Sequence, residues 1–239
     1  MYDNKNKYAE LNDLINQLTW SQSCGEQYCW GNIVIDTGNS QQRQAINESL
    51  DYLSKNMPEI ASFIGKNVKN IVLLNSESGE YHGFSRGDEF QTIFLYNVES
   101  LSSDPHILSA GIIHESIHQE IFRIENSVSY FLSEALLGNE YKVNSPWTGN
   151  EIHINSFVHA AHVWFGLYHY WDKYLFVKPD PYDNSLAQQQ RSKLLQGFDN
   201  DQYGEINLFL KNNNQHRAMY SILKLKKIMG DKNEKNRND

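Results

Sequence analysis

The residues best placed by type and spacing to do chemistry are His114 and His118, four apart in the run His-Glu-Ser-Ile-His with Glu115 between them. In an α-helix, residues four apart share a face. Two imidazole nitrogens can then turn towards one ion while Glu115 projects beside it. Two protein donors do not make a stable site, so a third is required downstream. Glu134, Glu140, His159 and His162 compete for that place, and the last two, three residues apart, share a helical face. The plainer alternative is a histidine pair satisfied by hydrogen bonds alone, because partly buried imidazoles need partners but not a metal.

The motif requires a helix, and the surrounding residues supply one. In Ser103-Asp104-Pro105, Asp104 is placed as an N-cap and Pro105 at the first helical position, followed by about twenty residues without proline. Ile112, Ile113, Ile117 and Ile121 are available to pack it. A short branched and aromatic run, 92–96, precedes it and reads as a strand, as does 71–74, while 76–88 carries glycines and turn formers and reads as a loop. Tyr81, His82 and Phe84 lie in that loop, where a substrate could be held. Helical spacing marks 8–20 and 40–56, the second opening after Gly38-Asn39-Ser40 and limited by Pro58. A long aromatic helix is expected over 152–175, ended by Pro179 and Pro181, and another over 206–229. The fold class expected is α+β and mainly helical: a small sheet next to the motif helix, in the strand-then-helix order of zincin-like peptidases, packed against further long helices.

At 239 residues the chain can bury a proper core. One catalytic domain is expected over residues 1–230, with a charged, asparagine-bearing flexible tail over 231–239. The hydrophobic share of 40% and the aromatic share of 13% are those of a globular protein. A formal net charge of -8 supplies no field that would attract a phosphate backbone, so nucleic acid is not an expected partner. Neither a secretory signal nor a membrane-spanning stretch is visible, which makes the cytoplasm the expected location and excludes a membrane partner. The two cysteines, Cys24 and Cys29, read first as free thiols, since two alone cannot complete a tetrahedral sulfur site, with a local disulfide as the alternative.

Three segments in order, Gly111-Ile-Ile-His-Glu-Ser-Ile-His118, Asn144-Ser-Pro-Trp147 and the stretch from Phe157 through His159 and His162 to Trp171, resemble the HExxH-type peptide β-hydroxylases that modify ribosomally made peptide natural products. The resemblance covers about residues 90 to 172, and the ordered trio is far more specific than HExxH alone. It implies an iron(II) enzyme that uses 2-oxoglutarate and dioxygen to hydroxylate the β-carbon of a residue in a precursor peptide. By position it makes His114, His118 and His159 the metal ligands, with His162 in reserve. An all-imidazole triad suits iron(II) and leaves an open face for the 2-oxoacid and dioxygen. Glu115 becomes a supporting group that orients a ligand or water.

One departure concerns the co-substrate. Where the family pattern has an arginine after Pro-Trp, this chain has Thr148, and a cation is the usual partner of the distal carboxylate of 2-oxoglutarate. Trp147 and Thr148 remain the residues the resemblance assigns to the co-substrate, Thr148 as a hydrogen-bond donor. Lys142, Arg123, Arg86 and Arg217 are the other cations that could supply the charge. The alternative activity is that of a zinc metallopeptidase, with Glu115 deprotonating a zinc-bound water and Glu140, Glu134 or His159 completing the site. A non-catalytic peptide-binding module is the third. Oligomeric state is not legible from the residues.

Overall fold

Short runs of branched residues become strands where every second side chain can be buried, and the computed structural model shows that alternation in the sheet. It describes residues 8–21, 32–101, 105–128, 141–177 and 181–238. These form a mainly helical protein with a small mixed sheet, and they divide into two units, Trp20–Arg123 and Met1–Thr19 with Ile124–Asp239.

In the unit Trp20–Arg123 the strands β1 (Val34–Thr37), β2 (Asn70–Leu74), β3 (His82–Ser85) and β4 (Thr92–Tyr96) lie in the order β1-β2-β4-β3. The first three in that order are parallel, and β3 is an antiparallel edge strand on β4. Parallel pairing needs a crossover between strands. Helices α2 (Ser40–Asn56) and α3 (Pro58–Asn67) provide it between β1 and β2. Asn39 caps α2 through a reciprocal capping box with Gln42, and Pro58 opens α3 at its first position.

Ile71, Leu73, Ile93 and Leu95 are buried on one sheet face. Gly83 pairs with Leu95 and Ser85 with Ile93, so both turn to that same face, while His82 and Phe84 stack on Tyr96 and Phe94 on the other. The long helix α4 (Pro105–Val128) begins at Pro105, as its sequence predicts, and buries Ile112, Ile113, Ile117 and Ile121. The expected cap, Asp104, lies outside the described residues. Gln119 ties α4 to the strands: its Oε1 accepts from Gln91 N at 2.8 Å and its Nε2 donates to Thr92 O at 2.8 Å.

In the other unit, the hairpin β5 (Lys142–Asn144) and β6 (Glu151–His153) leads into α5 (Ile154–Val177), followed by α6 (Pro181–Phe198), α7 (Gln202–Asn212) and α8 (His216–Asn238). Helix α1 (Ala9–Gln17) also belongs here, with Asn12 Oδ1 accepting from the Tyr220 hydroxyl at 2.7 Å. The core of α5 is aromatic: Phe157, Phe165, Tyr168, Tyr170, Trp171 and Tyr174 are all buried.

Four local expectations change. The segment read as a loop contains β3. Glycine depresses strand propensity, but pairing to β4 overrides it. Pro181 opens α6 instead of only ending what precedes it, because the first helical turn tolerates the missing N–H. The single helix expected over 206–229 is two helices, parted by Asn214 in the left-handed region at φ 57°. Finally, α8 runs on to Asn238 where a frayed tail was expected. Met229 is buried, and Asn233 Nδ2 donates to Asp199 Oδ2 at 3.2 Å.

Candidate metal centre

Helix α4 presents His114 and His118 one turn apart with ring centroids separated by 5.1 Å. Desolvation lowers the His114 imidazole pKa, although 30% of the side chain still meets solvent, so the ring is neutral near pH 7. Neutral imidazole is the form that ligates a metal. His118 is half-buried and its ring lies over that of Phe122 at 6.2 Å. Two imidazoles on one helical face fit part of the donor set of a divalent transition metal.

Glu115 turns to β3. Ser85 Oγ donates to Glu115 Oε2 at 2.7 Å, and Glu115 Oε1 lies 3.9 Å from His114 Nε2. A Cβ at Gly83 would come within 2.9 Å of Glu115 Oε1, so glycine there makes room for the carboxyl. Burial raises the Glu115 pKa from its ordinary 4.5 to about 7, and the hydrogen bond from Ser85 pulls it the other way. Tyr81 joins the same cluster. Burial, and then the charge of Glu115, push its phenol above the ordinary range. Its hydroxyl packs onto α4 where a Cβ on Gly111 would be only 1.8 Å away, and it has no hydrogen-bond partner among the described residues.

His159 and His162 are both buried in α5. His159 Nε2 is 3.0 Å from Glu125 Oε1. His162 Nδ1 donates to the Val158 carbonyl at 2.8 Å, and burial lowers its imidazole pKa to about 4. Glu134 and Glu140 lie outside the described residues, as do Cys24 and Cys29. Among the described residues, no group of three or more His, Cys, Asp and Glu side chains is arranged to hold an ion. No described helix is long and apolar enough to cross a membrane.

Of the residues assigned to the co-substrate, Trp147 is buried, its indole Nε1 donating to Leu194 O at 3.1 Å, in space that a Cβ at Gly197 would fill. Thr148 is exposed, and its Oγ1 accepts from Asn150 N at 3.3 Å. The four alternative cations all have carboxylate neighbours. Arg123 grips Glu120 with two nitrogens at 2.6 and 2.8 Å, and Arg86 grips Asp88 at 2.8 and 3.0 Å. Lys142 is 3.4 Å from Glu151 and Arg217 is 3.8 Å from Glu10.

The sequence reading missed Ser85, Gly83 and Glu125. The first two needed β3 to be seen as a strand, after which alternation puts both on one face. Glu125 was findable, because it stands two turns beyond His118 on the same helical face. Compared with known proteins, the chain matches no family model and no curated sequence.

Proposed function

We propose that the chain is an iron(II)/2-oxoglutarate-dependent oxygenase that hydroxylates the β-carbon of a residue in a ribosomally made precursor peptide. The observation that carries this reading is the pairing of a metal-competent His114 and His118 with a Glu115 carboxyl that is enclosed and tethered to Ser85. A carboxyl held in that way supports and orients its neighbours. It has little access to a water that it would have to deprotonate. The order of the HExxH helix, the Ser145-Pro146-Trp147 turn and the His159 helix adds the resemblance, from which His159 is taken as the third ligand.

When bound, iron(II) with 2-oxoglutarate and dioxygen supplies the oxidising power to insert oxygen into a carbon–hydrogen bond. The chain's own residues do the rest. His114, which burial keeps neutral, and His118 would bind the ion, Ser85 fixes the orientation of Glu115, and Gly83 with Gly111 leaves space for Glu115 and Tyr81 beside the helix.

A second reading, zinc-dependent peptide hydrolysis, is favoured by a specific pair of observations. A carboxyl raised to about 7 suits a general base near neutral pH, and a mixed sheet with an antiparallel edge strand precedes the motif helix. Glu115→Gln separates the two. Substantial 2-oxoglutarate turnover in the variant supports the oxygenase. Near-complete loss of a zinc-dependent peptide cleavage, with the metal retained, supports the peptidase.

A further inference from the structure

We propose that the groove between α8 and the start of α1 is a docking site for an acidic amphipathic helix of another polypeptide. The groove lies wholly within the unit that holds α1 and α8, and the proposal does not rest on the metal-centre reading.

The groove has a volume of about 400 Å³. Its walls are mostly apolar. Tyr8, the residue before α1, stacks on Tyr220 with ring centroids 4.4 Å apart, and Met219 and Leu223 lie beside them. Leu223 is 44% exposed, although the same helix buries Ile222, Leu225 and Met229.

The polar part of the lining is basic. His216, Lys224 and Lys227 contribute to it and, among the described residues, no carboxylate does, in a chain whose formal net charge is -8. Three other cations of α8 face partners elsewhere. Arg217 is 3.8 Å from Glu10, Lys232 is 3.8 Å from Asp172, and Lys226 stands over the Tyr203 ring at 4.9 Å. Lys224 instead donates to a neutral group, Asn12 Oδ1, at 2.5 Å, and the Tyr220 hydroxyl donates to the same oxygen at 2.7 Å. An amide holds the ammonium in place without compensating its charge, so cation and aromatic wall are set before a partner arrives.

Spacing selects the occupant. The lining residues of α8 recur from His216 to Lys227 at three- and four-residue intervals and therefore form one stripe of the helix. At 1.5 Å per residue the stripe is about 17 Å long, with His216 at one end and the two lysines towards the other. A small amphiphile with one negative charge can match only one end of it. A helix laid along the stripe matches both, with apolar residues on Met219, Tyr220 and Leu223 and carboxylates on either side of them.

The probe is a labelled synthetic peptide of about 15 residues, with leucines on one helical face and glutamates flanking them, titrated against the full chain by fluorescence anisotropy. Saturable binding is expected. It should weaken about tenfold when the glutamates become glutamines, or when Leu223→Glu and Lys227→Glu are combined in the protein. Both side chains are exposed, so the double variant should keep the wild-type melting temperature. Protection of Lys227 from acetylation by the bound peptide tests the same face without any substitution. No saturable binding, equal binding of a peptide with its leucines scattered around the helix, or undiminished binding by the double variant overturns the proposal. Binding of dodecanoate without binding of the peptide assigns the groove to a small amphiphile and overturns it too. So does a wild-type dimer that Leu223→Glu abolishes, which assigns the groove to a second copy of the chain.

Discussion

Replacing Glu115 with glutamine should make the metal-free protein more stable above neutral pH, by an amount that grows with pH. The Glu115 carboxyl is 4% exposed and its pKa is raised by burial from 4.5 to about 7. A carboxyl whose pKa is higher folded than unfolded holds its proton more tightly in the native state. It therefore gives its full stability below the unfolded value and loses it as pH rises through the folded one. Each pH unit between the two values is worth about 1.4 kcal/mol. The window from 4.5 to about 7 thus amounts to roughly 3 kcal/mol that the wild type gives up by pH 8 and a neutral glutamine does not. Glutamine can still accept the Ser85 hydroxyl through its amide oxygen. The lowered His114 pKa is common to both proteins and largely cancels in the difference. Thermal unfolding in the presence of a chelator, at intervals from pH 4.5 to 8.5, reads the effect as a melting difference that opens to about 6–12 °C. A difference between variant and wild type that stays flat across this range would refute the assignment of a buried, proton-holding carboxyl.

Three further outcomes follow from particular contacts. Ser85→Ala removes the bond that pulls the Glu115 pKa down, so the loss of stability that begins near the unfolded value of 4.5 should continue to a higher pH in the variant than in the wild type, in the same melting series. Gly111→Ala places a Cβ 1.8 Å from the Tyr81 hydroxyl and should destabilise by about 1–3 kcal/mol despite the better helix propensity of alanine. Part of this should return in the Tyr81→Phe background, and a double-mutant cycle on urea midpoints checks it. His169, buried in α5, has its imidazole pKa lowered to about 3, chiefly by desolvation. A histidine held neutral in this way loses stability as pH falls below its ordinary 6.5, by about 3 kcal/mol at pH 4. His169→Leu should flatten that acid limb in urea unfolding.

What the sequence made legible was whatever a local rule governs. The starts of α2 and α4 follow from Asn39 and Pro105, and β2 and β4 from branched runs, because caps, proline and β-branching act within a few residues. The pairing of His114 with His118 needed only helical spacing. What was not legible depends on partners distant along the chain. β3 exists because β4 supplies its hydrogen bonds, and without it neither Ser85 nor Gly83 could be placed against Glu115. The continuation of α8 past Met229 brings Asn233 within hydrogen-bonding distance of Asp199, more than thirty residues upstream. The Trp147 indole reads in sequence as a co-substrate contact, and only the fold shows Leu194 O accepting from it and Gly197 making room for it. Glu125 is the intermediate case: its helical position beyond His118 was visible, but its partner on α5 was not.

The central claim is that His114 and His118 hold an iron(II) that couples dioxygen to 2-oxoglutarate, and succinate is its most direct readout. Protein reconstituted anaerobically with iron(II) and 2-oxoglutarate, then exposed to oxygen with and without candidate peptides, should form succinate, and His114→Ala should not. No succinate under any of these conditions, together with peptide cleavage once zinc is supplied, would contradict the oxygenase account and leave the hydrolytic one.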